Sequence, residues 1–425
     1  NTVMPGNKKE VAAMKKALAT GRISEADIDA MIRPVIATGL AFGFYDRDKY
    51  KPELLDKFPE HVDVAYQTAA EGVVLLRNNG VLPLASDRKI LVIGKYLDGD
   101  PRLECANPAS SADVEGYDFV SLHQALTDKF GQRVTFAKQP TDAQLRDADV
   151  VLAVVGTVDM ESFERPFALP ADEENMVRNA VAQNPNTVVT VVSGSGIRMT
   201  DWNDKAAAVL YSWYPGQIGM RAVADILAGD VNPSGKLPMT IDREFADSPC
   251  HSIMPAGAEF YNSARRAFNE ALITLYDIPY KESVLVGYRW YDAKDMKPLY
   301  PFGHGLSYTT FAMTKPQVKV DGDKIKVRVN VANTGNREGA EVVQLYVREN
   351  NPTVLRPRKE LKGVNKVKLA PGKSQTVEIE LDRNDLAFWN DQTHGWQVNP
   401  GAYTLYIGNS SDNIAHTLPL NLKAK

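Results

Sequence analysis

The chain has 425 residues, of which 44% are apolar and 24% charged, a balance that excludes disorder, collagen and coiled coil and predicts about three globular domains. Its 49 Lys and Arg against 53 Asp and Glu leave a formal charge of -4, so there is no basic excess of the kind that draws a protein to phosphate backbones or anionic lipid. No apolar run approaches the roughly 20 residues that span a bilayer, and neither nucleic acid nor membrane is expected as a partner.

From Asn1 to about Tyr45 the pattern is helical, with Val11, Met14 and Leu18 on one stripe. Ser24, three residues before Asp27, then opens a second stripe through Ile28, Met31, Ile32 and Val35 in the manner of a capping box. Helices this few cannot close a core, so residues 1–59 read as the tail of a larger domain followed by a Lys/Pro/Asp-rich connector, Arg47 to Pro59. The first residue is Asn1, with no basic-then-apolar leader, which predicts a processed or cleaved N-terminus.

Apolar runs then alternate with helical stretches: Val73–Leu76, Ile90–Gly94, Val134–Ala137, Val150–Val155, Thr187–Val192 and Ala208–Trp213. Near-continuous apolar strands separated by helix indicate an α/β fold, a mainly parallel sheet covered on both faces. Residues 246 to 310 lack periodicity but carry Tyr288, Trp290, Tyr291, Phe302 and Tyr308, as expected of an ordered excursion packed on its neighbours, and they close a domain at 60–310. After Phe311 the period becomes two: Ile325, Val327, Val329 and Val331 alternate with Lys324, Lys326, Arg328 and Asn330, and further alternating runs cover Glu341 to Val347 and Tyr403 to Ile407. Residues 311–425 therefore predict a β-sandwich, and without a cysteine pair the fibronectin III version of it.

The glycine signals belong to turns. Gly194-Ser195-Gly196 follows a strand but has Met199 where a dinucleotide fingerprint needs its third glycine. Gly229 to Lys236 has five residues between its glycines instead of the four of a P-loop, and Leu237 stands where a magnesium-binding Ser or Thr belongs. The six histidines are scattered, with none four residues from another, and Cys105 and Cys250 are too few for a disulfide scaffold or a four-ligand zinc site. No metal and no organic cofactor is expected.

The informative stretch is Asp159-Met160-Glu161-Ser162-Phe163-Glu164-Arg165-Pro166-Phe167, leaving the carboxyl end of the strand at Val150–Val155. Open α/β sheets present ligand-facing groups at that end. Apolar surroundings raise a carboxyl pKa and a neighbouring arginine lowers it, so adjacent acids can take separate roles. The same residues equally describe a solvated loop with a surface Glu-Arg pair.

Longer motifs resemble glycoside hydrolase family 3: Glu71-Gly72-Val73-Val74-Leu75-Leu76-Arg77-Asn78, Trp213-Tyr214-Pro215-Gly216-Gln217, Gly229 to Pro238, Val286-Gly287-Tyr288-Arg289-Trp290-Tyr291-Asp292, and Pro301 through Phe311. Asn333-Thr334-Gly335, Leu361-Lys362-Gly363 and Pro400-Gly401-Ala402-Tyr403 extend the resemblance into the last domain, in order and over essentially the whole chain. The resemblance implies an α/β sandwich and a fibronectin III-like domain behind a (β/α)8 barrel, of which the N-terminal helices are the remnant and Met4-Pro5-Gly6 the last element after the nucleophile's strand. It implies a retaining, exo-acting β-glycosidase, of β-glucosidase type, with an aspartate nucleophile upstream of Asn1 on a barrel-containing chain or fragment. Glu161 is then the general acid/base, three residues before the supporting pair Glu164 and Arg165, with Glu164 the alternative acid/base. Asp201-Trp202 is no nucleophile segment; it reads as the start of a helix. The implied partners are the barrel and a β-linked oligosaccharide or glucoside, with a homodimer contact as the role left to the last domain, and the implied location is periplasmic or secreted. Xylosidase and N-acetylglucosaminidase activities stay open within the family. Outside it stand a noncatalytic carbohydrate-binding or scaffold protein and a nucleotide-binding protein.

Overall fold

The computed structural model describes residues 8–48, 50–94, 97, 119–159, 166–252 and 279–424. The chain separates into two compact units, residues 1–61 and 62–425.

In the first unit, α1 (Lys8–Ala19) and α2 (Glu25–Ala41) follow the predicted stripes. The α2 start is the expected capping box: the Ser24 hydroxyl accepts the Asp27 N–H, and the Asp27 carboxylate accepts the Ser24 N–H at 2.8 Å. Neither helix buries a large side chain; Gly39 is the one buried residue in the pair, while Met31, Ile32, Val35, Ile36 and Leu40 all stand exposed.

The second unit contains α3 from Val62 to Gly72 (the helix begins at Phe58), and then a six-stranded sheet. Its strands are β1 (Val74–Asn78), β2 (Ile90–Gly94), β3 (Val134–Ala137), β4 (Val150–Gly156), β5 (Thr187–Val192) and β6 (Ala208–Tyr211), in the order β1-β6-β5-β4-β2-β3. Strands β2 to β6 are parallel and β1 pairs antiparallel to β6 at the edge. The strands read as unbroken apolar runs because both faces are covered. Val150, Leu152 and Val154 pack with α4 (Leu122–Phe130) and α7 (Gly219–Ala228), whereas Val151, Ala153 and Val155 pack with α5 (Asp142–Asp147), α6 (Ala171–Gln183) and the fully buried Trp202. Three expected strands change their bounds, of which Val150–Val155 only lengthens to Gly156. Val73–Leu76 slides to Val74–Asn78, and the run to Trp213 stops at Tyr211 because Trp213 turns the backbone to φ +60°. Asp201-Trp202 opens no helix: the Trp202 carbonyl accepts the Lys205 and Ala206 N–H groups, closing tight turns that drop the indole into the core.

Residues 279–310 run as the expected aromatic excursion. They include α8 (Tyr288–Lys294), the stacking of Tyr288 on Phe302 and a bridge from Leu306 to Leu75. From Phe311 the chain forms two packed antiparallel sheets. One is β10-β9-β14-β15 (Glu360–Leu369, Gly339–Glu349, Gly401–Gly408, Ile414–Leu422) and the other β11-β8-β7 (Ser374–Asp382, Lys324–Asn333, Phe311–Asp321). A small hairpin of β12 (Phe388–Asn390) and β13 (Gly395–Gln397) lies beside them. Along β8 the residues Ile325, Val327, Val329 and Val331 are buried, which is the alternation of a strand with one wet face. This sandwich is tied to the α/β part by Lys236 to Glu341 at 2.8 Å, Arg337 to the Gly229 carbonyl at 3.1 Å, and Leu361 N–H to the Tyr288 hydroxyl at 2.8 Å.

Candidate functional site

The parallel strands take the order 3-2-4-5-6, so the connections leave β2 on one side for β3 and return past it to β4. Clefts form outside the carboxyl ends of two such strands, and the stretch singled out in the sequence leaves β4 at this point. β4 ends at Gly156, whose N–H donates at 2.8 Å to the buried Glu173 carboxylate in the first turn of α6. Asp172, Glu173 and Glu174 all stand in that turn, where the helix dipole favours negative charge. A cavity of about 480 Å³ opens between Gly94, Lys138, Pro140, Asp172, Glu173 and Met176.

Beyond Gly156 the chain is held by the loops that follow β5 and β6. Thr157 N–H continues the ladder to the Val192 carbonyl at 3.0 Å, and the Thr157 and Ser193 hydroxyls lie 2.7 Å apart. Asp159 is fixed by one carboxylate oxygen, which accepts the Gly194 N–H at 3.0 Å and faces the Tyr214 hydroxyl at 2.9 Å. That hydroxyl also lies 2.8 Å from the Thr157 carbonyl. Burial, and then the neighbouring carboxylate, push the Tyr214 phenol above its ordinary value, so it stays a neutral donor. Gly194 has no room for a side chain: a Cβ would stand 2.8 Å from the Tyr214 ring and 3.0 Å from the Asp159 carboxylate.

The same segment after β5 holds the chain where it returns. The Arg198 N–H donates to the Phe167 carbonyl at 3.1 Å, and a Cβ at Gly196 would touch the Phe167 ring at 3.4 Å. Arg198 is itself clamped at 2.8 Å by both Asp201 and Glu244, and its guanidinium holds the Asp201 carboxyl below the usual range. Leu169 then enters the core before α6 begins. Residues 193–198 thus brace both ends of the loop, one through Gly194 and the other through Arg198.

Glu161, Phe163, Glu164 and Arg165 lie outside the described residues, as do Met4-Pro5-Gly6 and Cys105; what the fold brings together is the pair of stems on either side of them. Asp159, Gly194 and Tyr214 are the residues sequence reasoning did not connect. Their one signal was the Trp213-Tyr214-Pro215-Gly216 motif at the end of β6, where Trp213 holds positive φ and donates its indole N–H to the Gly72 carbonyl at 3.0 Å. The two glycine-rich stretches are turns and close approaches: Gly229 is the left-handed cap of α7, and a Cβ at Gly235 would lie 2.4 Å from the Val73 carbonyl oxygen. Among the described residues no group of three or more His, Cys, Asp or Glu is placed to hold a metal ion, and no helix is long and apolar enough to cross a membrane.

Comparison with known proteins places this geometry. Residues 73–308 match the glycosyl hydrolase family 3 C-terminal domain, and residues 341–411 a fibronectin type III-like domain. A β-glucosidase of Bacteroides ovatus is 33% identical, with 84% of this chain aligned to 51% of that protein. An exo-alpha-(1->6)-L-arabinopyranosidase of Bifidobacterium breve is also 33% identical, over 96% of this chain and 54% of its own length. Among solved structures, a β-glucosidase of Bifidobacterium adolescentis superimposes with a TM-score of 0.84 at 31% identity, covering 99% of this chain and 61% of that one. The chain spans about half the length of the curated relatives it matches.

Proposed function

The chain belongs to glycoside hydrolase family 3, and we propose that it supplies the acid/base carboxylate of a retaining, exo-acting β-glucosidase through Glu161. In this reading residues 1–59 are the tail of the barrel domain, 60–310 the acid/base domain and 311–425 the fibronectin III-like domain, with the nucleophile on a barrel-containing portion. The observation that carries it is the pair of braced stems at the carboxyl end of β4, Asp159 to Gly194 and Tyr214 on one side and Phe167 to Arg198 on the other. Glu161-Ser162-Phe163-Glu164-Arg165 stands in sequence between these two stems.

Glu161 protonates the leaving glycosidic oxygen as the nucleophile attacks the anomeric carbon, then takes a proton from the water that hydrolyses the glycosyl-enzyme. The two carboxyl groups of a retaining enzyme stand about 5 to 5.5 Å apart, so the loop has to reach the barrel to act. Glu164 with Arg165 orients it. The assembly is periplasmic or secreted and works on a β-linked oligosaccharide or glucoside with no cofactor.

The barrel-complemented enzyme tests this with Glu161→Gln. Hydrolysis of an aryl β-glucoside with a poor leaving group falls about 10²- to 10⁴-fold, while a dinitrophenyl glucoside, which leaves without protonation, is cleaved to its intermediate nearly as before. Loss of this pattern in Glu161→Gln together with its appearance in Glu164→Gln moves the role to Glu164; its absence from both refutes the reading. A second specificity is favoured by the arabinopyranosidases of Bifidobacterium breve and Bifidobacterium longum among the relatives, and nitrophenyl α-L-arabinopyranoside and β-xyloside belong in the same assay.

A further inference from the structure

The β12–β13 hairpin has no part in the chemistry above, yet it carries two of the chain's five tryptophans. Trp389 and Trp396 are direct cross-strand partners, with ring centroids 5.7 Å apart at 80°. Phe388 is buried, so the alternation of the strand turns its neighbour Trp389 outward. The indoles are 48% and 73% exposed. Cross-strand pairing accounts for their contact with each other. It does not account for the position of Trp396, which forms one wall of a cleft of about 730 Å³ with Arg383, Asn384, Ala387, Val398 and Pro400. That volume lies within the range of small-ligand sites.

The polar side of the cleft is preset. Arg383 and Asn384 stand in a single 3-10 turn, Arg383–Leu386, held at both ends: the Asp382 carboxylate accepts the Asn384 N–H at 2.9 Å, and Asp385 accepts the Asp382 N–H at 2.7 Å. Among the described residues no hydrogen bond or ion pair engages either the Arg383 guanidinium or the Asn384 carboxamide. An exposed aromatic plane, a forked donor and a carboxamide that both donates and accepts thus converge on one space. With Asp382 and Asp385 beside Arg383 in the sequence, this turn carries no net positive charge that would favour an anion. These groups suit a neutral, flat, polyhydroxylated ring. A pyranose with equatorial substituents turns its axial C–H groups onto an indole face and its vicinal hydroxyls toward the guanidinium and carboxamide at the rim.

We propose that the Trp396 cleft of the fibronectin III-like domain is a carbohydrate-binding site for a β-linked gluco-oligosaccharide. The choice of sugar rests on the glycosidase reading, whereas binding requires no hydrolysis. The test is calorimetric titration of the 425-residue chain with cellohexaose and with laminarihexaose, repeated with Trp396→Ala, Trp396→Phe and Asn384→Ala, each variant checked by thermal melting. The chain binds at least one sugar with a Kd of about 1 mM or tighter, Trp396→Ala weakens it about tenfold or more, Trp396→Phe retains it within about threefold, and Asn384→Ala weakens it about fivefold. Absence of binding to both sugars overturns the proposal, as does an unweakened Trp396→Ala that melts normally. Should Trp396→Ala melt early, Asn384→Ala decides, and unchanged affinity there overturns the proposal. Loss of binding on mutation alongside intact Glu161 independence in the kinetic test separates the two readings: the cleft stands while the acid/base assignment falls.

Discussion

A single oxygen of Asp159 meets both the Gly194 N–H and the Tyr214 hydroxyl, which makes Tyr214 the residue whose removal is most informative. Hydrogen bonds to a charged acceptor contribute about 1.5 to 3 kcal/mol. Tyr214→Phe is expected to lower the unfolding free energy by an amount in that range, read as a lower urea midpoint with the slope unchanged, because the ring still fills its place and only the hydroxyl is lost. Asp242 acts in the opposite sense. Burial, reinforced by Asp247, pushes its carboxyl up to about 7, so the native state holds a proton that the unfolded chain releases near its ordinary value of 3.8. Stability from this group is complete below that value and declines as pH rises toward 7. Urea midpoints measured from pH 4 to pH 8 should show the decline, and Asp242→Asn, permanently neutral, should flatten it.

At the scale of elements, the close approach of Gly235 to the α3–β1 junction ties the segment after α7 to the entry of the sheet. A Cβ there meets the carbonyl oxygens of Val73 and Gly72 at 2.4 and 2.6 Å, backbone atoms that cannot swing aside. Gly235→Ala is expected to cost about 1 to 3 kcal/mol, read as a lower melting temperature. Such contacts mark the border of what sequence could show. Strands β2, β3 and β5 lie where the apolar runs predict, because each run is bounded by polar or turn residues; β2 and β5 are buried on both faces, while β3 lies at the sheet edge with Thr135 exposed. β1 was misjudged by its polar end: Arg77 and Asn78 belong to the strand, Arg77 donating to the Ala206 carbonyl at 2.9 Å and Asn78 closing the following turn onto Leu82. Its antiparallel direction was not legible at all, since its partner β6 lies more than a hundred residues downstream. The candidate loop was legible as a carboxylate-rich exit from β4. Its bracing was not, because Gly194 and Tyr214 come from two later strands and carry no charge pattern to announce the contact.

Over the whole molecule, the two units differ in how much apolar surface they cover. Among the described residues, the second unit holds three extensive cores, two flanking the parallel sheet and one between the β-sheets of the last domain. In α1 and α2, by contrast, Gly39 is the one buried residue. Opening free energy follows buried contact, so amides of α1 and α2 in the 425-residue chain are expected to exchange with deuterium orders of magnitude faster than those of β4 and β5. Peptide-resolved exchange mass spectrometry checks this, and equal protection in helices and strands would contradict it.

The bracing of both stems by residues 193–198 also has an engineering meaning. Asp159 and Phe167 are each anchored to residues 193–198 of the scaffold, contacts that a change in the sequence between them does not itself remove. Chain entropy penalises a longer insert mildly, by about 0.6 kcal/mol for each doubling of length. A library that varies the number of residues on either side of a retained Glu161, between Asp159 and Pro166, would therefore leave the sheet intact, and on the acid/base reading proposed above leaving-group preference becomes a property that can be selected without redesigning the fold.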